Sequence, residues 1–137
     1  MAGDPPPAVT RVDPARAASV VERWREQHPG GAIVRLRADR ALDRTSLFAE
    51  VERALSLPPW FGRNWDALWD CLTDLSWLDR PAYLLVVTDA EQLLRDSPQE
   101  LPLLLELLRA ATAAWASGPV PTAFATLLVT AAGEASA

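Results

Sequence analysis

Apolar positions along this chain come in short blocks whose spacing alternates between a helical and an extended period, punctuated mainly by proline and glycine. Asp13 followed by Pro14 marks a helix start, because an Asp carboxylate accepts free first-turn N–H groups and Pro is tolerated there. Val20, Val21 and Trp24 then recur at helical spacing until Pro29, Gly30 and Gly31, which predicts an amphipathic helix over 14–27 with one packed face. Ile33, Val34 and Leu36, alternating with Arg35 and Arg37, predict a strand over 32–38. After Asp43, the stripe Leu47, Phe48, Val51, Ala54 and Leu55 predicts a second helix that Pro58 and Pro59 end. Asn64 is a candidate N-cap for a third helix over 66–75. A continuous apolar run at 82–87 reads as a strand covered on both faces. A short helix at 89–95, a longer one from Ser97 or Pro98 to Ala116, and a last strand at 124–130 complete the pattern.

Strands alternating with helical crossovers predict an α/β fold, a small three-stranded parallel sheet packed with helices, preceded by an N-terminal helical extension. The expected organisation is a mobile Pro-rich tail at 1–12, containing Pro5, Pro6 and Pro7, a helix and turn at 13–31, a main domain at 32–131, and a C-terminal tail at 132–137.

Composition narrows the function. With 137 residues, 50% hydrophobic and 23% charged, the chain can bury a single core. Its 18 acidic against 13 basic residues give a net charge of -5, which disfavours phosphate backbones and anionic membranes, so neither nucleic acid nor membrane is the expected partner. A basic protein surface suits that charge better. One cysteine, Cys71, excludes an internal disulfide, no secretory leader pattern is visible, and cytoplasmic localisation is expected.

Chemistry concentrates at 58–74, which holds three of the six Trp residues. Asp66, Asp70 and Asp74 are four apart and share a helix face, where like charges repel. The helix dipole offsets this for Asp66 in the first turn but not for Asp74 near the C-terminal end. A solvated acidic face opposite a core face of Leu68 and Leu72 is the ordinary explanation. Trp60, Trp65 and Trp69 beside the acids favour an interface instead, since rigid aromatics around a few charges are typical of binding surfaces. An enzyme is poorly supported. His28, the only His, reads as a solvated turn residue, Cys71 reads as a small core residue, and no His or Cys cluster, phosphate-binding Gly loop or nucleophilic Ser elbow is present.

The stretch Leu55-Ser56-Leu57-Pro58 through Asp66-Ala67-Leu68-Trp69-Asp70-Cys71-Leu72-Thr73 resembles the barstar family, intracellular inhibitors of the ribonuclease barnase. The likeness is densest over about 20 residues, and the element order over 32–131 suits that fold, leaving the N-terminal 31 residues outside it. The resemblance implies that a helix and its preceding loop plug a nuclease active site, with carboxylates replacing the substrate phosphate. It implies that Asp70 is the principal contact carboxylate and Asp66 a second one. Trp60 and Phe61 match an aromatic pair in the binding loop, with Gly62 beside them, and Asn64 matches a polar contact. Trp65 stands where the family carries an aliphatic interface residue, and Trp69 and Thr73 match as well. Asp74 replaces a Gly, Leu75 replaces an interface Trp for which Trp77 is the candidate substitute, and Ala110 stands at the position of an acid supplied by a later helix.

The expected function is therefore inhibition of a small basic ribonuclease or related toxin by an immunity-type protein, with no catalysis, cofactor or metal. A barstar-like interaction module with a non-nuclease partner, its 14–27 helix adding contact surface, is the alternative. A metal-dependent hydrolase using Asp66 and Asp70 is the third and weakest reading.

Overall fold

The computed structural model describes residues 8–131. In chain order they form β1 (Val9–Val12), α1 (Pro14–Gln27), β2 (Ala32–Arg37), α2 (Arg44–Leu55), α3 (Trp65–Leu72), β3 (Ala82–Thr88), α4 (Leu101–Ala116) and β4 (Ala123–Val129), with single 3-10 turns at Ala38–Arg40, Ala90–Gln92 and Pro98–Glu100. All four strands are parallel, in the order β1-β4-β3-β2.

The expected three-stranded sheet thus has a fourth strand, drawn from the segment expected to be a mobile tail. Val9 lies opposite Thr126 and Val12 opposite Val129. The Thr126 amide donates to the Ala8 carbonyl at 2.8 Å, and the Thr130 amide to that of Val12 at 2.9 Å. The physical reason is burial. Val12 is 3% exposed under α1, and Val9 packs against the core on the other face, so β-branched residues three strand positions apart find partners the local sequence does not reveal. Residues 1–7 of the expected tail, and the whole of 132–137, lie outside the described residues.

Alternation along β3 separates two apolar layers. Tyr83, Leu85 and Val87 meet α2, α3 and α4, while Ala82, Leu84 and Val86 meet α1 through Ala17, Val21 and Trp24. The apolar stripe of α1 is therefore a packed face. His28, expected to be solvated, ends α1 and is half-buried, its ring 4.7 Å from that of Trp24.

Helix starts follow local chemistry. Asp13 accepts from the Arg16 amide at 2.8 Å. Asp43 and Ser46 cap each other reciprocally, the Ser46 amide donating to Asp43 at 2.8 Å and the Asp43 amide to Ser46 Oγ at 3.1 Å. Helix ends depend on backbone conformation. Ser56, at φ 52°, stops α2 before the prolines. Leu75, at φ 50°, turns the chain after α3, which ends at Leu72 and not at 75.

Candidate protein-binding site

Helix α3 begins where Asn64 Oδ1 accepts the Ala67 amide at 2.7 Å. Its 3.6-residue period sends Leu68, Cys71 and Leu72 into the core and leaves Asp66 and Asp70 exposed. Asp74 lies beyond the helix, its amide donating to the Cys71 carbonyl at 3.2 Å, and is also exposed. Among the described residues none of these three carboxylates has an ion pair. Arg63, the one cation within 58–74, is paired with Glu52 instead. Only Asp66 and Asp70 keep the four-residue helical spacing, because α3 ends before Asp74.

The aromatic residues divide. Trp60 is 73% exposed, whereas its neighbour Phe61 is 7% exposed and meets Phe48 edge-on at 6.1 Å. Phe61, expected at the contact surface, is thus chiefly a core residue. Trp65 is half-buried, edge-on to Phe48 at 5.1 Å, with its indole N–H donating to Glu100 Oε1 at 3.3 Å. Trp69 is half-buried against the same core. Thr73, the residue that closes α3, donates its hydroxyl to the Trp69 carbonyl at 2.8 Å. Gly62 and Asn64 remain exposed. Leu75 is fully buried and has no surface role, and Ala110 lies exposed on α4.

Trp77, the candidate substitute for the family's interface Trp, and Trp115, which sequence reasoning did not single out, tie down helix ends at the site. The Trp77 indole N–H donates to the carbonyl of Leu55, the last residue of α2, at 2.9 Å. That of Trp115 donates to the carbonyl of Leu72, the last residue of α3, at 2.7 Å. Each satisfies a terminal helix carbonyl that has no intrahelical partner. Sequence patterning gives no signal for either bond, because donor and acceptor are 22 and 43 residues apart.

Trp60, Asp70, Asp74 and Trp77 line one open cleft of about 290 Å³ with Phe61 and Cys71. Burial pushes the Cys71 thiol above its ordinary pKa, and the charges of Asp70 and Asp74 add to that shift. A thiol so held is a poor nucleophile. Among the described residues no group of three His, Cys, Asp or Glu side chains is arranged to hold a metal ion, and no helix is long and apolar enough to cross a membrane.

An acidic helix on a parallel α/β scaffold thus displays Asp66 and Asp70 close in sequence to an exposed Trp60. The sequence model of the Barstar (barnase inhibitor) family matches residues 31–126, and the chain belongs to that family, whose members are inhibitors and not enzymes. Over 40 residues it is 45% identical to a protein of Bacillus subtilis (strain 168) named "Putative ribonuclease inhibitor YrdF". That match covers 29% of this chain and 42% of the relative, so it spans less than half of the relative's length. The family match begins at Gly31, and β1 and α1 lie outside it.

Proposed function

We propose that this chain is a stoichiometric inhibitor of a small basic ribonuclease, acting in the cytoplasm, and that Trp60, Gly62, Asn64, Asp66, Asp70 and Asp74 form its contact surface. Trp65, Trp69 and Thr73 sit at the rim of that surface, and Phe61 supports it from beneath. The observation that carries the reading is the set of three exposed carboxylates without an ion pair among the described residues, Asp66 and Asp70 on a capped helix and Asp74 just beyond its end. Such carboxylates are available to a cationic active site without first breaking ion pairs of their own. Family membership supports the inhibitor class, and the relative's printed name supports ribonuclease as the partner.

The test is titration calorimetry against a panel of small basic microbial ribonucleases, with RNA cleavage assayed in parallel. One-to-one binding that blocks cleavage is expected, and Asp70→Ala should weaken it by at least about 3 kcal/mol by leaving a desolvated cation unpaired. A loss below about 1 kcal/mol would remove Asp70 from the centre of the interface. Failure to bind any member of the panel would favour a non-nuclease partner. Removal of residues 1–31 is a poor discriminator between these readings, because α1 buries Ala17, Val21 and Trp24 against the sheet.

A further inference from the structure

β2 is the last strand of the sheet, so one of its sides meets no other strand among the described residues. Successive residues of a strand turn their backbone N–H and C=O groups to opposite sides. The Arg37 amide points to the open side, where it donates to Glu50 Oε2 at 2.8 Å. The Arg35 carbonyl shares that side, with Arg53 Nη2 at 3.5 Å. Ile33 completes the outward set by the same alternation. Glu50 and Arg53 both come from α2 and are joined to each other, Arg53 donating to the carboxylate from Nη2 at 2.6 Å and from Nε at 3.0 Å. Glu50 is 4% exposed, so this is a buried carboxylate placed at a strand edge.

Together the two side chains do what one residue of a further strand would do. In a parallel neighbour, the residue opposite Leu36 would accept from the Arg37 amide and donate to the Arg35 carbonyl. Glu50 supplies that acceptor and Arg53 that donor. An edge strand whose N–H and C=O groups stay free is a template for another chain. The strand best matched to this edge is its own copy, because the outward groups at Ile33, Arg35 and Arg37 are centred on Arg35. Two chains related by a two-fold axis would pair antiparallel there, Arg35 with Arg35 and Ile33 with Arg37. We infer that the Glu50–Arg53 pair is a closing device for the β2 edge, and that this edge, once uncapped, is a pairing surface for a second copy of this chain. The inference is independent of the ribonuclease reading.

In such a pair Arg35 of one copy faces Arg35 of the other, and like charges directly opposite destabilise pairing. The test therefore uses Arg35→Thr, an exposed substitution, with and without Glu50→Ala and Arg53→Ala, in sedimentation equilibrium of the whole chain. Arg35→Thr alone is expected to remain monomeric. Adding the two alanine substitutions should strengthen self-association at least about tenfold, with the far-UV circular dichroism spectrum unchanged. Using Arg35→Pro in place of Arg35→Thr removes the central outward N–H and should return the uncapped chain to monomer. A monomeric uncapped chain, equal association with the pair intact, or association that survives Arg35→Pro would overturn the inference. Amide exchange in the wild type decides the matter if the alanine variants do not fold. The Arg37 amide, held by Glu50, should exchange at least about tenfold more slowly than the outward Arg35 amide, and equal rates would also overturn it.

Discussion

Trp60 and Phe61 are adjacent aromatics with opposite roles, and the difference is one of burial. Phe61 meets Phe48 in the core, so Phe61→Ala is expected to cost about 3–5 kcal/mol in urea unfolding. Trp60→Ala should change stability by less than about 0.5 kcal/mol, with its effect appearing in partner binding. Glu50 is the most informative charged residue away from the site. It is 4% exposed and accepts from Arg53 at 2.6 and 3.0 Å and from the Arg37 amide at 2.8 Å. The Arg53 hydrogen bond lowers its pKa most, burial opposes, and the Arg37 amide lowers it further, leaving a net downward shift. A carboxyl depressed on folding contributes stability that is complete above the ordinary glutamate pKa and is lost as pH falls through the depressed value. Thermal unfolding should therefore show a lower midpoint for the wild type in that acid window, and the slope should flatten in Glu50→Gln. An unchanged slope would assign the acid sensitivity to other carboxylates.

At the scale of elements, α3 is short and depends on its ends. Asn64 satisfies a first-turn amide, Asp66 lies where the helix dipole favours an anion, and Trp115 satisfies the Leu72 carbonyl at the other end. Asn64→Ala is expected to destabilise the protein by about 1 kcal/mol, measured by denaturant unfolding. A larger loss in ribonuclease affinity than in stability would identify Asn64 as a contact as well as a cap. The start of α3 was legible because capping acts over three residues. Its end was not, because nothing in Thr73-Asp74-Leu75 announces that a buried Leu will adopt a left-handed backbone.

Across the whole molecule, the elements outside the family match complete the sheet on both counts: α1 covers its second face and β1 covers the edge of β4. Deleting residues 1–12 keeps the Asp13 cap but removes the buried Val12 and the half-buried Val9. The expected loss is about 3 kcal/mol, read as a lower urea midpoint. Self-association is also expected, because the β4 edge would then present unpaired backbone groups. Unchanged stability and a monomeric product would show that β1 contributes little to the fold.

Local signals in this chain acted within a few residues, and those are what the sequence by itself determined. Asp13, Asp43 and Asn64 marked helix starts, periodicity distinguished the helices from the strands over 32–129 except at 89–95, where the expected helix is a single 3-10 turn at Ala90–Gln92, and the spacing of Asp66 and Asp70 placed both acids on one exposed face. The tertiary structure alone decided that Val9–Val12 is a strand, that Phe61 lies inside while Trp60 lies outside, and that Trp77 joins Asp70 and Asp74 at one cleft. The physical reason is range. Capping and periodicity depend on neighbouring residues, whereas strand pairing, burial and the convergence of side chains depend on segments that arrive from elsewhere in the chain, as Thr126 does for Val9 and Leu55 for Trp77.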